Sequence, residues 1–502
     1  MSPIRSGFSI PAVVIFMAWA FVAAPASGAV GIPDAAVADA VVDALTADFA
    51  VSAANIDVET QRGVVYLNGR VRDLRAKNRA GRLAETVKGV VAVANHLTVS
   101  PARMRSDAAI RQDVERALFV DPVTESADIS VAVEDGVVSL AGDVDSWEEK
   151  RLAGNMARGV RGVVDLNNML TVTPARSRTD REIKDEVRSR LNWDVRVDDG
   201  RISVAVSDAR VSLSGTVGSA AEKRRAVRDA WVAGVRSVSG DGLEVEQWAR
   251  EPAMRKGKYA EKSDSEIHAA VIHAISYNPQ VDEDAVTVNI TEGRVALRGV
   301  VETLRGKRSA GRTARNVVGV TRVFNRLRVR PSGEVSPDVL AKRVISAIEA
   351  DPHLNRYDIT VEVRNGVATL QGNVATYFEK LQADDAASAV RGVVAVNNNL
   401  TVDRTDEAVT YNPYVDGSDV YARDWYQYTP RRDFKNDEQL REDILMNLYW
   451  SPFIDSDQVD ITVEDGTAIL SGTVASINES QAARRAALNA GVARVRNRLV
   501  VE

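Results

Sequence analysis

Apolar residues along this chain fall into two periods that alternate in a fixed order. A triplet at i, i+4, i+8 appears six times: Val37/Val41/Leu45, Ile110/Val114/Leu118, Ile183/Val187/Leu191, Ile267/Val271/Ile275, Leu340/Val344/Ile348 and Leu440/Ile444/Leu448. That spacing predicts a helix with one buried stripe. Two short runs with every second residue apolar follow each triplet and predict a β-hairpin, as in Ile129/Val131/Val133, the turn Asp135-Gly136, then Val138/Leu140. Each hairpin ends on a glycine, at Gly69, Gly142, Gly215, Gly299, Gly372 and Gly472, always thirty-two residues after its triplet begins. A period held without insertion identifies a tandem array of one supersecondary unit.

Polar residues mark the ends of the elements. Ser106, Thr179, Ser263, Ser336 and Asn436 stand four before the triplets, where a side-chain oxygen can cap free backbone N–H groups, while the first copy has Pro33-Asp34 there. Thr179/Glu182, Ser263/Glu266 and Asn436/Gln439 have capping-box spacing, and Pro337 takes the tolerated first helical position. Four residues beyond each hairpin glycine come Asp73, Ser146, Ser219, Thr303, Thr376 and Ser476, which predict a second helix. It ends near Gly89, Gly162, Gly234, Gly319, Gly392 and Gly491. A closing strand follows, with Asn95, Asn168, Asn325, Asn398 and Asn497 two before a leucine. The third copy differs twice, with Ala209 for the turn glycine and Asp241 for the asparagine, and its turn is expected to differ. The six structural glycines should supply a backbone angle or a close approach that a side chain would block.

The expected fold class is α+β: six small α-β-β-α-β two-layer repeats, each a three-stranded sheet with two helices on one face. The boundaries are residues 32–101, 105–174, 178–246 (divergent), 262–331, 335–403 and 435–502, with linkers at 247–261 and 404–434. Neighbouring repeats should lean on one another where connections are short.

The hairpin, the capped second helix and the closing "VxNxLxV" strand resemble the BON domain, cleanest at Asp128–Val144, Val361–Val374 and Val459–Val474, and at Val163–Val172, Val393–Val402 and Val492–Val500. The resemblance implies location in the cell envelope, non-enzymatic action, contact with phospholipid surfaces and, in some members, chaperone-like help to outer-membrane proteins.

Composition narrows this picture. Arg5, an apolar stretch from Ile10 to Ala24 and small residues at Ala24-Pro25-Ala26 or Ser27-Gly28-Ala29 read as a cleavable export signal over residues 1–29. No later segment is apolar enough to span a bilayer, so a soluble periplasmic protein is expected. The chain has no cysteine, which removes disulfides, thiolate metal sites and a lipid-modified N-terminal cysteine. A net charge of −6 argues against a dedicated nucleic-acid binder.

Catalytic chemistry is hard to place. The histidines His96, His268, His273 and His353 fall at unrelated repeat positions, and His268 and His273 are off the i, i+4 spacing of a metal pair. The carboxylates read as caps, turns and solvated faces, so no enzyme, metal site or cofactor is expected.

Two features invite a binding role. Leu74, Trp147, Ala220, Leu304, Tyr377 and Ile477 directly follow the second-helix caps, with Phe378 beside Tyr377. They either fold back onto their own sheet or the next repeat, or form a row of tips that dips into lipid or an unfolded client. The same region is basic, with Arg70, Arg72, Arg75, Lys77, Arg79 and Arg82 in the first copy, Lys223, Arg224, Arg225 and Arg228 in the third, and Arg305, Lys307, Arg308, Arg312 and Arg315 in the fourth. That is a solvated helix face or a surface drawn to anionic headgroups. The segment 404–434, rich in Tyr and Trp, should pack on a flanking repeat or bind a partner. The sequence thus points to binding of anionic phospholipid in support of envelope stress tolerance, with a holdase for outer-membrane protein clients and a cell-wall or glycan binder as alternatives.

Overall fold

The apolar triplets do build helices: Asp34–Thr46, Asp107–Val120, Asp180–Trp193, Asp264–Ser276, Pro337–Ala350 and Asp437–Trp450 open the six repeats of this computed structural model. The middle residue of every triplet, from Val41 to Ile444, is fully buried. The structure describes residues 32–402 and 435–501, apart from 47, 49, 102, 126–127, 174–177, 251–254, 256, 259–261, 332, 334, 355–358, 375–376, 452–453 and 493. The expected export signal and the 404–434 segment lie outside the described residues.

Local chemistry fixes the element ends. Ser106, Thr179, Ser263 and Asn436 accept from the backbone at the third helical position, whereas Ser336 makes no such bond and leaves the start of its helix to Pro337. All three expected boxes at this end close reciprocally. The second helices, Leu74–Ala84, Trp147–Arg158, Ala220–Asp229, Leu304–Arg315, Tyr377–Ala389 and Ile477–Asn489, are capped by Asp73, Ser146, Ser219, Thr303 and Ser476. Here the glutamate three residues after the cap reaches further back: Glu149, Glu222 and Glu479 accept from Asp145, Gly218 and Ala475, one residue before the cap. Thr376 lies outside the described residues.

In each sheet the second strand is central, antiparallel to the first and parallel to the closing strand, as Val58↔Leu67 and Val65↔Val93 show in repeat 1. The hairpin glycine is forced twice over. Its φ lies between +113° and +137°, and at Gly69 a Cβ would stand 2.0 Å from the Asn55 carbonyl oxygen. The motif asparagine stops the closing strand from running on. Asn95 Nδ2 donates to the Lys77 carbonyl on the second helix (2.8 Å) while its Oδ1 accepts from Leu97 (3.2 Å), and Asn168, Asn325, Asn398 and Asn497 repeat the pattern. Asp241 cannot donate in this way. The third closing strand, Ser237–Val245, accordingly runs unbroken, with a register shift opposite Ser212/Ser214.

The turn of repeat 3 differs from expectation: Ala209 adopts φ +61°, so the turn keeps the conformation of its siblings at the cost of a strained residue. A second clamp explains why it holds. The first helical residue, Asp180, accepts from the turn amides of Asp208 and Ala209, and Asp34, Asp107, Asp264 and Asp437 do the same in their repeats.

Repeats that are distant in the chain touch, which departs from an array leaning only on its neighbours. The residue before the glycine that follows the second helix donates its amide to the last carbonyl of another repeat's first helix: Lys88 to Trp450, Arg161 to Ala350, Val318 to Trp193. Backbone bonds thereby join repeats 1 and 6, 2 and 5, and 3 and 4, the last pair also through the Val195 amide and the Asn316 carbonyl, folding the array back on itself. The described residues from Pro33 onward pack as one unit.

Candidate functional site

Small residues line the second helices, and arginines repeat at helical spacing beside them. In Leu304–Arg315 the stripe is Arg305, Arg308, Arg312 and Arg315; in Leu74–Ala84 it is Arg75, Arg79 and Arg82. Ala310 and Ala314 are fully buried, which seats the helix close on its sheet and turns the arginines toward other repeats. The result is a central cavity of about 570 Å³ with walls from all six repeats, lined by thirteen arginines against the carboxylates Glu148, Asp194, Asp229 and Asp385.

Much of this charge is held in pairs across repeat boundaries. Arg75 Nη1 meets Asp351 Oδ2 at 3.0 Å, Arg190 Nη2 meets Glu148 Oε1 at 3.0 Å, Arg305 Nη2 meets Asp385 Oδ2 at 3.0 Å, and Arg308 Nη2 meets Asp384 Oδ2 at 2.8 Å. Arg224 pairs with Glu85. Within repeats, Arg79 is bound to Asp48, and Arg225 to both Asp194 and Asp229. Burial alone would raise the Asp194 carboxyl, but Arg196 and Arg225 outweigh it and hold the group well below the usual carboxylate range. Burial pushes the Glu85 carboxyl up to about 7 although Arg224 and Arg82 oppose it. Glu479, beside Ala475 and Arg255, is likewise raised to about 7 by burial. Arg312 is lowered to about 9, chiefly by burial, with Asp385 opposing and Arg315, Arg308 and Arg305 adding to the fall.

The tips are not a free row. Leu74 of repeat 1 is 4% exposed and sits in the core of repeat 2. Leu304 packs on the core of repeat 5, and Ile477 on that of repeat 4. Trp147 is half-buried on repeat 3, its ring 4.1 Å from Trp231 and its Nε1 donating to the Val235 carbonyl at 3.2 Å. The reading of these four as lipid-dipping tips is therefore corrected: each fills a gap at a junction between repeats. The side chains of Tyr377 and Phe378 lie outside the described residues.

The basic candidates divide. Arg75, Arg305 and Arg308 are corrected as headgroup contacts, because they are committed to carboxylates of repeat 5. Lys77 and Lys307 are half-buried, and Arg70 and Arg72 are exposed. Among the described residues of the 247–261 linker, Arg255 pairs with Glu222 of repeat 3, and Lys258 Nζ meets the Leu191 carbonyl at 2.7 Å and Asp199 at 2.9 Å.

A separate surface lies on the sheet of repeat 4. Arg294 and Arg298 on the central strand, and Arg322, Arg326 and Arg328 on and beside the closing strand, are all exposed. Arg322 and Arg326 flank the exposed Phe324, their guanidinium carbons 5.0 Å and 6.0 Å from its ring centre, while Arg294 is paired with Glu292. The equivalent face of repeat 2 carries Asp128, Glu134, Asp143 and Asp165. The signal for both sites was in the sequence, as an arginine stripe at helical period and as alternation through Arg322-Val-Phe-Asn-Arg-Leu-Arg328; the side each would face was not.

Among the described residues no helix is long and apolar enough to cross a membrane, and no group of three or more His, Cys, Asp or Glu is placed to hold a metal ion.

Known proteins supply the context. The chain is 32% identical to osmotically-inducible protein Y of Escherichia coli over 143 residues, covering 27% of this chain and 71% of that protein. It is 33% identical to the outer membrane lipoprotein DolP of Haemophilus influenzae over 22% of this chain and 58% of that protein, so it spans just over half of the latter. A 21 kDa hemolysin of Actinobacillus pleuropneumoniae matches at 28% identity over 28% of this chain and 72% of its own. The BON domain matches six times, at residues 33–101, 106–174, 179–247, 263–331, 336–404 and 436–502, and the chain belongs to the BON-domain family.

Proposed function

We propose that this protein is a non-catalytic component of the periplasm that supports osmotic and envelope stress tolerance by binding anionic phospholipid surfaces through the open sheet face of repeat 4. The family and the osmotically inducible relative support the setting. The surface rests on one observation: five exposed arginines share one sheet with an exposed phenylalanine that two of them flank. A basic residue near an anionic bilayer contributes about 1 kcal/mol, and an exposed aromatic beside the guanidiniums is able to enter the interface.

Co-sedimentation with phosphatidylglycerol and phosphatidylcholine vesicles tests this. Binding to the anionic vesicles is expected, weakening as salt rises. Arg322→Glu with Arg326→Glu should remove it, because both substitutions reverse charge on the face itself. Binding that ignores salt and these changes, but favours unfolded outer-membrane protein, would replace the reading with the holdase one.

A further inference from the structure

We propose that the central cavity is a binding site for one compact, soluble polyanion of the oligophosphate class, distinct from the lipid face. The walls of this space come from the second helices of all six repeats, completed by the first-helix ends of repeats 3 and 4, so it exists only in the folded-back assembly. Its charge is unbalanced. Thirteen arginines line it with four carboxylates, and counting Asp48, Glu85 and Asp351, which hold Arg79, Arg224 and Arg75, still leaves the arginines well ahead.

Two of these arginines have capacity to spare. The Arg151 side chain of repeat 2 lines the cavity with no hydrogen bond or ion pair to any described residue. Arg228 of repeat 3 lies at 3.6 Å from Asp229 through Nε, while its Nη2 is buried without a hydrogen-bond partner. Arg151 is exposed to the cavity's solvent, with the like charges of Arg190 and Arg225 near it against the single pull of Glu148, so a counter-ion would be welcome there. Guanidinium groups suit phosphate because their N–H forks match its oxygens in pairs. A volume of about 570 Å³ lies in the range of small-molecule sites and exceeds the needs of a single phosphate. A chain of several phosphates can reach guanidiniums from different repeats at once. Bound there, it would bridge the paired repeats and stabilise the assembly by mass action.

Isothermal titration with sodium tripolyphosphate, at constant ionic strength, reads the site directly on the full chain. One equivalent should bind, and thermal unfolding should move upward. Orthophosphate and sulfate at matched ionic strength should give a smaller shift. Arg151→Gln and Arg228→Gln, made separately, should each weaken tripolyphosphate binding roughly tenfold, as for loss of a charge-assisted hydrogen bond, with the unliganded unfolding temperature retained. Arg322→Gln on the outer sheet should leave tripolyphosphate binding unchanged. Phosphatidylglycerol vesicles should not compete with tripolyphosphate, and Arg151→Gln should not alter vesicle binding. Several weak equivalents, equal loss with Arg322→Gln, competition by vesicles, or indifference to both cavity variants would each overturn the proposal. The lipid-face reading fails separately, through its own vesicle assay.

Discussion

On the helical face of repeat 4, Arg305, Arg308, Arg312 and Arg315 point into the interior of the assembly, whereas on its sheet face Arg294, Arg298, Arg322, Arg326 and Arg328 meet solvent. The inner set is half-buried, and Asp384 and Asp385 of repeat 5 bind two of its members. The outer set keeps its water, and two of its members flank Phe324. Identical side chains therefore carry opposite energetic signs: inside, an arginine without its carboxylate is a liability, and outside it is an attraction held in reserve.

The largest effect that can break this distinction is at Asp194, buried with Arg196 and Arg225. Asp194→Ala should destabilise the protein by about 3–5 kcal/mol, since it strands buried guanidiniums. A urea midpoint close to that of the parent would mean that the interior is wet enough to behave as surface. Next in size is Leu74→Ala, which empties a place in the core of repeat 2 and should cost about 2–4 kcal/mol. If that change leaves the denaturation curve intact, the tip is not bound to its neighbour.

A smaller effect sharpens the contrast through pH. Glu479 would release its proton near its ordinary value of 4.5 in the unfolded chain and near 7 in the folded one. The folded state thus binds more protons between those values, and stability falls as pH rises through that window. Glu479→Gln keeps an acceptor for Ala475 and should recover roughly 1–2 kcal/mol at pH 8 relative to pH 4.5. Parallel melting curves across pH for parent and variant would count against a buried carboxyl there. Smallest of all for stability is Phe324→Ala, expected within about 0.5 kcal/mol of the parent because its ring is exposed. The same substitution should weaken anionic vesicle binding, so melting and co-sedimentation together separate the two faces.

Local physics was legible in the residues. The triplets, caps and hairpin glycines marked each element because helix period, N-cap chemistry and left-handed φ act over a few positions. The role of the motif asparagine as a pin to the second helix, and of Asp34 and its counterparts as clamps on the hairpin turn, spans 18 to 29 residues and was missed. What the arginine stripes would meet was beyond local reading altogether. Arg75 finds its carboxylate 276 positions away, and nothing around Arg75 distinguishes it from a solvated helix residue. Leu74 shows the same limit, since its apolar character demanded cover without saying which repeat would provide it.

The amide of Lys88 has its acceptor in Trp450, near the other end of the chain, while Val318 and Trp193 close the innermost pair. In a linear solenoid any stretch can nucleate and grow, because each unit answers only to its sequence neighbours. Here the contact order rises steadily from the innermost pair to the outermost. A chain emerging from its N-terminus would have to keep repeat 1 unmated until the last repeat arrives, and assembly should zip outward from repeats 3 and 4.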